Sequence, residues 1–149
     1  MNSNRMFQFI YPAKIQKDEA GFFLVTFSDI PFAATDGKTL AEALAEARDC
    51  LEEAVAVSIA DNLDFPFPSP IRKGQQAIPL TARMSAKAAF YIAVRETGVS
   101  KSELARRLGV DEKEIRRMLS PRHQTKLPRI EKALLDLGYQ LAVTLQKAA

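Results

Sequence analysis

The spacing of apolar positions along the chain divides it into a strand-like front, a long helical stretch and a second, mostly helical half. Residues 6–16 carry β-branched and aromatic side chains and predict a strand. The Tyr11-Pro12 step marks it as an edge-type strand, because proline lacks the donor that an inner ladder uses. Residues 17–21 (Lys-Asp-Glu-Ala-Gly) are a polar turn. Residues 22–27, rich in Phe, Val and Thr, form a second strand, and the two predict a β-hairpin. Ser28 to Pro31 turn the chain, residues 32–35 are read as a short third strand, and Asp36-Gly37 as another turn. At Thr39 the period becomes helical. Thr39 and Glu42 fit a capping box, and Leu40, Leu44, Ala47, Leu51, Ala54 and Ser58 recur on one face as far as Asn62. Phe65-Pro66-Phe67-Pro68-Ser69-Pro70 stops the helix and favours extended backbone. A PxxP-type ligand is conceivable there, but a plain connector is the better reading. Residues 76–80 predict a returning strand, completing β-hairpin, third strand, helix and last strand.

The second half opens with a helix over residues 81–97, with Met84, Ala88, Tyr91 and Ile92 among its apolar positions. Two short helices follow. Ser100 and Glu103 form a capping box for the first, whose apolar face is Leu104, Ala105 and Leu108. Gly109 is placed where a helix ends in left-handed geometry, and Val110 buries in the turn. Asp111 and Glu114 form a second capping box, and Ile115, Met118 and Leu119 face inward on the second helix. Two short helices joined by a glycine-containing turn predict a helix-turn-helix. Residues 127–137 are a closing helix. Residues 139–145 then alternate Tyr139, Leu141, Val143 and Leu145 with smaller or polar side chains, which is strand periodicity. A lone terminal strand needs a partner edge, so this segment predicts a homodimer or higher homo-oligomer.

The fold class is therefore α+β, a mixed front followed by an all-α unit with a C-terminal dimerisation strand. The expected domains are residues 1–80 and 81–149. The length of 149 residues and the hydrophobic content of 47% suit one or two small cores. No apolar run is long enough to span a bilayer, and residues 1–5 lack a signal-peptide core, so the cytoplasm is the expected location and no membrane partner is expected. The single cysteine, Cys50, excludes an internal disulfide and a zinc cluster, and is read as a small buried hydrophobe. The single histidine, His123, has no second ligand near it in sequence, so no metal or other cofactor is expected.

Charge separates the halves. The chain is +3 overall, but residues 1–71 hold five Lys/Arg against eleven Asp/Glu, and residues 72–149 hold sixteen against seven. A basic half suits a polyanion, while an acidic half would be repelled by one and would attract a basic protein. On the second short helix, Glu112, Lys113, Arg116 and Arg117 are the outward positions. Lys113 and Arg117 can donate to guanine O6 and N7, and Glu112 can accept from cytosine N4. Asp111 stands at the start of that helix, nearest the bases. Arg106, Arg107, Arg122 and Lys126 suit phosphate contacts that fix register. For each of these cations an ordinary solvated position is the competing reading.

Residues 81–138 resemble the lambda-repressor-like (Cro/C1, or XRE) family. The front half, with Phe22 to Val25, Phe27, Asp29, Ile30, Pro31, Gly37, Thr39, Glu42, Ala43 and Pro68-Ser69-Pro70, resembles the HicB antitoxin family. This second resemblance implies a type II toxin–antitoxin system. It implies a front domain with a partial RNase H-like βββαβ fold that has lost catalysis and that covers the active site of a HicA-type mRNA-cleaving toxin. It also implies a tail that binds the operon's operator DNA and represses transcription. No carboxylate cluster is evident, so the chain is not expected to be an enzyme. Asp29, Phe32 and Asp36, with the acidic face of the first helix, are the expected toxin contact. The alternative is a stand-alone transcriptional regulator whose front domain senses a small molecule.

Overall fold

The structure is a computed structural model and describes residues 6–147. The reading of residues 1–5 lies outside the described residues. The chain divides into two compact units, Met1–Ser85 and Ala86–Ala149.

In the front unit, β1 (Ile10–Lys17), β2 (Phe23–Phe27), β3 (Ala34–Gly37) and β4 (Gln76–Pro79) form one antiparallel sheet in the order β3-β2-β1-β4. The hairpin forms as expected, with its turn closed by the Asp18 N–H donating to the Phe22 carbonyl at 2.8 Å. β1, however, is an inner strand and not an edge. The ladder parity explains why Pro12 is tolerated there. The Leu80 N–H donates to the Phe9 carbonyl at 2.9 Å, so the β1–β4 bonds run through Phe9 and Tyr11 on one strand and Ile78 and Leu80 on the other. Pro12 points to the opposite side, at a level where β2 has already ended, since the β1–β2 register begins at Ala13 opposite Phe27. Pro79 points outward from β4, where no ladder bond is made. On the far edge the same parity turns the backbone of Ala34 and Asp36 outward. The third strand thus covers Ala34–Gly37 instead of residues 32–35. Phe32 belongs to the preceding turn, where the Ala33 N–H donates to the Ile30 carbonyl at 2.9 Å.

One helix, α1 (Leu40–Ala60), lies against β2, β3 and β4. Thr39 accepts from the Glu42 N–H at 3.1 Å, while the Glu42 carboxylate takes the N–H of Lys38 at 3.3 Å, one residue earlier than an ordinary capping box. The buried face is led by Ala43, Ala47 and Leu51, and Leu40 is exposed. Gly37 sets this choice of face. A Cβ on Gly37 would lie 2.4 Å from the Ala43 nitrogen, so strand and helix meet backbone to backbone. Tyr11, Ala13, Val25, Phe27 and Ile78 are buried within this unit, whereas Lys14, Gln16, Leu24, Ala34 and Asp36 are exposed.

α2 (Ala82–Thr97) begins where the Thr81 hydroxyl accepts from the Met84 N–H and donates to Glu52 at 2.7 Å. In the second unit, α3 (Lys101–Leu108), α4 (Glu112–Leu119) and α5 (Leu127–Asp136) share a core with residues 86–97 of α2. Phe90, Leu104, Ile115, Met118, Ile130 and Leu134 fill it. Residues 139–147 carry no strand in this single chain. Tyr139 and Leu141 are half-buried against the core, while Val143 and Leu145 are 86% and 98% exposed. The alternating pattern pairs with no strand among the described residues. Among the described residues, no helix is long and apolar enough to cross a membrane.

Candidate nucleic-acid interface and the acidic front face

The α3–α4 pair is built by its caps. Ser100 accepts from the Glu103 N–H at 3.1 Å and Asp111 from the Glu114 N–H at 2.9 Å. Between them Gly109 takes the left-handed conformation (φ 66°, ψ 32°), and the Val110 N–H returns to the Ala105 carbonyl at 3.0 Å. The capping boxes are only half made. Glu103 turns to Arg106 and Arg107, and Glu114 to Arg129 at 2.6 Å and Arg117 at 3.5 Å. Charge-assisted bonds to guanidinium outcompete a neutral backbone N–H. Glu103 is held down at about 2 by its hydrogen bonds to Arg106 and then Arg107, and Arg106 is raised in return. Glu114 is lowered chiefly by Arg129.

α4 buries Ile115 and Met118 and turns Lys113, Arg116 and Arg117 outward, at the i, i+3, i+4 spacing of one helix face. Arg116 is paired with Glu112 at 2.6 Å, and Lys113 has no ion-pair partner among the described residues. Arg106 and Arg107 stand at the end of α3, the latter also 3.6 Å from Asp136. Arg122 and Lys126 are exposed in the segment between α4 and α5. The Asp111 carboxylate is engaged by the N-cap. His123 is exposed, with Nδ1 3.4 Å from the Thr125 hydroxyl.

A residue that sequence reasoning missed lies behind α4. Lys87 is 2% exposed, and its Nζ donates to the carbonyls of Met118 (3.0 Å) and Arg117 (3.3 Å) and to the Thr125 hydroxyl (2.7 Å). Its only signal in the sequence is a charge among the apolar positions of α2, between Ala86 and Ala88.

On the front unit, Asp29 is not a free acid. Its carboxylate accepts from the Ser69 N–H at 2.9 Å and from the Ser69 hydroxyl at 2.8 Å, fastening the proline-rich connector to the turn after β2. The Tyr11 hydroxyl donates to the Pro66 carbonyl at 2.7 Å, and burial, with Asp29 nearby, raises its pKa. Phe7 and Phe67 stack at 5.0 Å, and Phe9 meets Phe65 edge-on at 5.9 Å. The connector is therefore bound along its length. Phe32 is 62% exposed, and Asp36 is exposed on β3 opposite Leu24. Glu42, Glu46, Asp49 and Glu53 form an exposed acidic stripe on α1. Cys50 is half-buried, not fully buried, and its thiol points to the Ala34 carbonyl at 3.7 Å, with a pKa raised by burial. Among the described residues, no three His, Cys, Asp or Glu side chains gather as a metal site.

Comparison with known proteins covers both units. Residues 10–89 match the family model for the HicB-like antitoxin of bacterial toxin–antitoxin systems. The chain is 33% identical over 135 residues to Antitoxin HicB of Escherichia coli strain K12, covering 91% of this chain and 98% of that protein. It is 40% identical over 131 residues to Antitoxin HicB 2 of Photorhabdus laumondii, covering 88% and 92%. It is 33% identical over 132 residues to Antitoxin HicB of Pseudomonas fluorescens, covering 88% and 90%. A sheet with one covering helix, a fastened connector and a capped helical unit thus stand in a chain that belongs to the HicB-like antitoxin family of bacterial toxin–antitoxin systems.

Proposed function

We propose that residues 1–80 neutralise a HicA-type mRNA-cleaving toxin by occluding its active site, and that residues 81–149 bind operator DNA as a homodimer or higher homo-oligomer and repress the chain's own operon. The front unit is read as a partial RNase H-like fold without catalysis, and α3 and α4 as a helix-turn-helix of the lambda-repressor-like kind. No cofactor takes part, no membrane partner is involved, and the protein acts in the cytoplasm.

The observation that carries this reading is the placement of opposite charge on the two units. A ribonuclease that holds RNA needs cationic surface, and the acidic stripe of α1 with Asp36 complements it. Phe32 supplies an exposed aromatic anchor in the turn that leads into β3. Asp29 contributes by holding the connector. On the second unit, Lys113 and Arg117 reach guanine edges and Glu112 a cytosine amino group, while Arg106, Arg107, Arg122 and Lys126 meet phosphate. Asp111 orients the first turn of α4.

The test is co-purification of the chain expressed with its neighbouring reading frames. The expected result is a small basic protein retained through a salt wash, toxic when expressed alone and harmless with this chain. An empty pull-down with intact promoter binding would replace the antitoxin reading with that of a regulator sensing a small molecule.

A further inference from the structure

We propose that Lys87 is the positioning residue of the phosphate-contacting loop, residues 120–126: its buried ammonium fastens that loop to the end of α4 and sets where Arg122 and Lys126 meet the DNA backbone. The inference rests on the operator-binding reading above.

Lysine is rarely buried, because its ammonium gives up hydration. Lys87 is 2% exposed, and its Nζ donates to acceptors from two places in the chain. The carbonyls of Arg117 and Met118 belong to the last turn of α4, where the helix carries partial negative charge, and the Ser120 N–H also reaches the Arg117 carbonyl at 3.1 Å. No glycine closes this helix. Its C-cap, Ser120, has extended backbone (φ −75°, ψ 121°) and gives its N–H to Arg116 and Arg117, and the ammonium adds donors at Arg117 and Met118. The third contact goes to Thr125, at the far end of the loop. Through these bonds the ammonium joins a helix end to the segment that leaves it and returns.

The loop has no helix or strand of its own, so ties of this kind set its path. An apolar side chain at position 87 could fill the same volume without the desolvation cost. The ammonium adds a fixed direction for the loop. Thr125 precedes Lys126 directly, and Arg122 lies three residues before Thr125. Both cations therefore leave the backbone from a stretch pinned at both ends.

The full chain and its Lys87→Met and Thr125→Val variants would be titrated against a fluorescein-labelled duplex carrying the promoter that drives the chain's own transcription. Binding would be followed across a range of KCl concentrations, with thermal unfolding in parallel. Thr125→Val removes the tie to Lys87 and the exposed His123 contact but leaves both α4 carbonyl bonds, so its midpoint should stay within about 4 °C of the parent. Its promoter affinity should fall by about tenfold at 0.1 M salt, and the slope of log K against log salt should become shallower by about one. In that background Lys126→Ala should cost less than about twofold more, although alone it costs several-fold. Lys87→Met should show the same shallower slope if it folds, and Thr125→Val decides the matter if it does not. Parental affinity and slope in Thr125→Val, with the fold intact, would reduce Lys87 to a stabilising residue and overturn the proposal. A parent chain whose promoter binding does not weaken with salt would overturn the operator reading itself, and the proposal with it.

Discussion

Glu103 lies against two guanidinium groups, and its titration reports on how the basic end of α3 is held. Its folded value, about 2, lies below the ordinary 4.5. The pairing is therefore complete above pH 4.5 and is lost as the pH falls through about 2. A carbon-detected NMR titration should find the Glu103 midpoint near the lower value, and a midpoint near 4.5 would mean that the pairs do not form in solution. The same contact restrains two candidate phosphate ligands. Glu103→Gln keeps the Ser100 cap, which uses the backbone N–H, and releases Arg106 and Arg107 from the Glu103 carboxylate, with Asp136 still 3.6 Å from Arg107. Promoter affinity should then rise about three- to tenfold at 0.1 M salt; unchanged affinity would place both arginines away from the duplex. Residue types at this scale were legible in the sequence, but pairings were only partly so. Glu103 and Arg106 stand one turn apart and could be matched by spacing. Lys87 could not, because its acceptors come from about thirty residues further on and exist only once α4 has ended there.

At the scale of elements, the connector gives the most direct test. Ser69→Ala removes the hydroxyl from Asp29 and leaves the backbone N–H bond, at an expected cost of about 1 kcal/mol in urea unfolding. Asp29→Ala loses both bonds, and amide exchange over residues 67–71 should quicken further. Unchanged exchange in both variants would mean that the aromatic contacts alone hold the segment. The hairpin, α1, the returning strand and the four later helices were all readable from period and caps. The departures share a cause in tertiary contact. Pro12 suggested an edge, but whether a missing donor matters depends on which side of the strand it faces and where the neighbour stops. The third strand moved past Phe32 because the Ile30–Ala33 turn uses that stretch, and Gly37 then entered the strand because α1 passes too close for a side chain. The helix face rotated toward Ala43 and Ala47 for the same reason: at that approach small side chains fit, so Leu40 is left outside.

For the whole molecule, the proposed assembly rests on residues 139–147. Their alternation was legible, but its outcome depends on a second copy, which no single-chain pattern supplies. Removing residues 140–149 should leave unit two folded, since its core is filled by Phe90, Leu104, Ile115, Met118, Ile130 and Leu134. It should convert a dimer to a monomer by light scattering and weaken promoter binding by more than tenfold, on the order expected when two linked half-sites become one. A truncated chain that remains dimeric would move the interface to the helices. The sheet of the front unit sets a different limit on self-association. Its β4 edge turns a proline outward, and the Ala34 carbonyl on the opposite edge already receives the Cys50 thiol, leaving Asp36 to present a short, charged stretch of backbone. Fibril growth by strand addition requires that each added copy offer a fresh edge to the next. Here one edge carries a proline and the other a negative charge, so stacking should terminate early. Concentrated protein held near its unfolding midpoint should scatter light as amorphous aggregate without the thioflavin signal of cross-β fibrils.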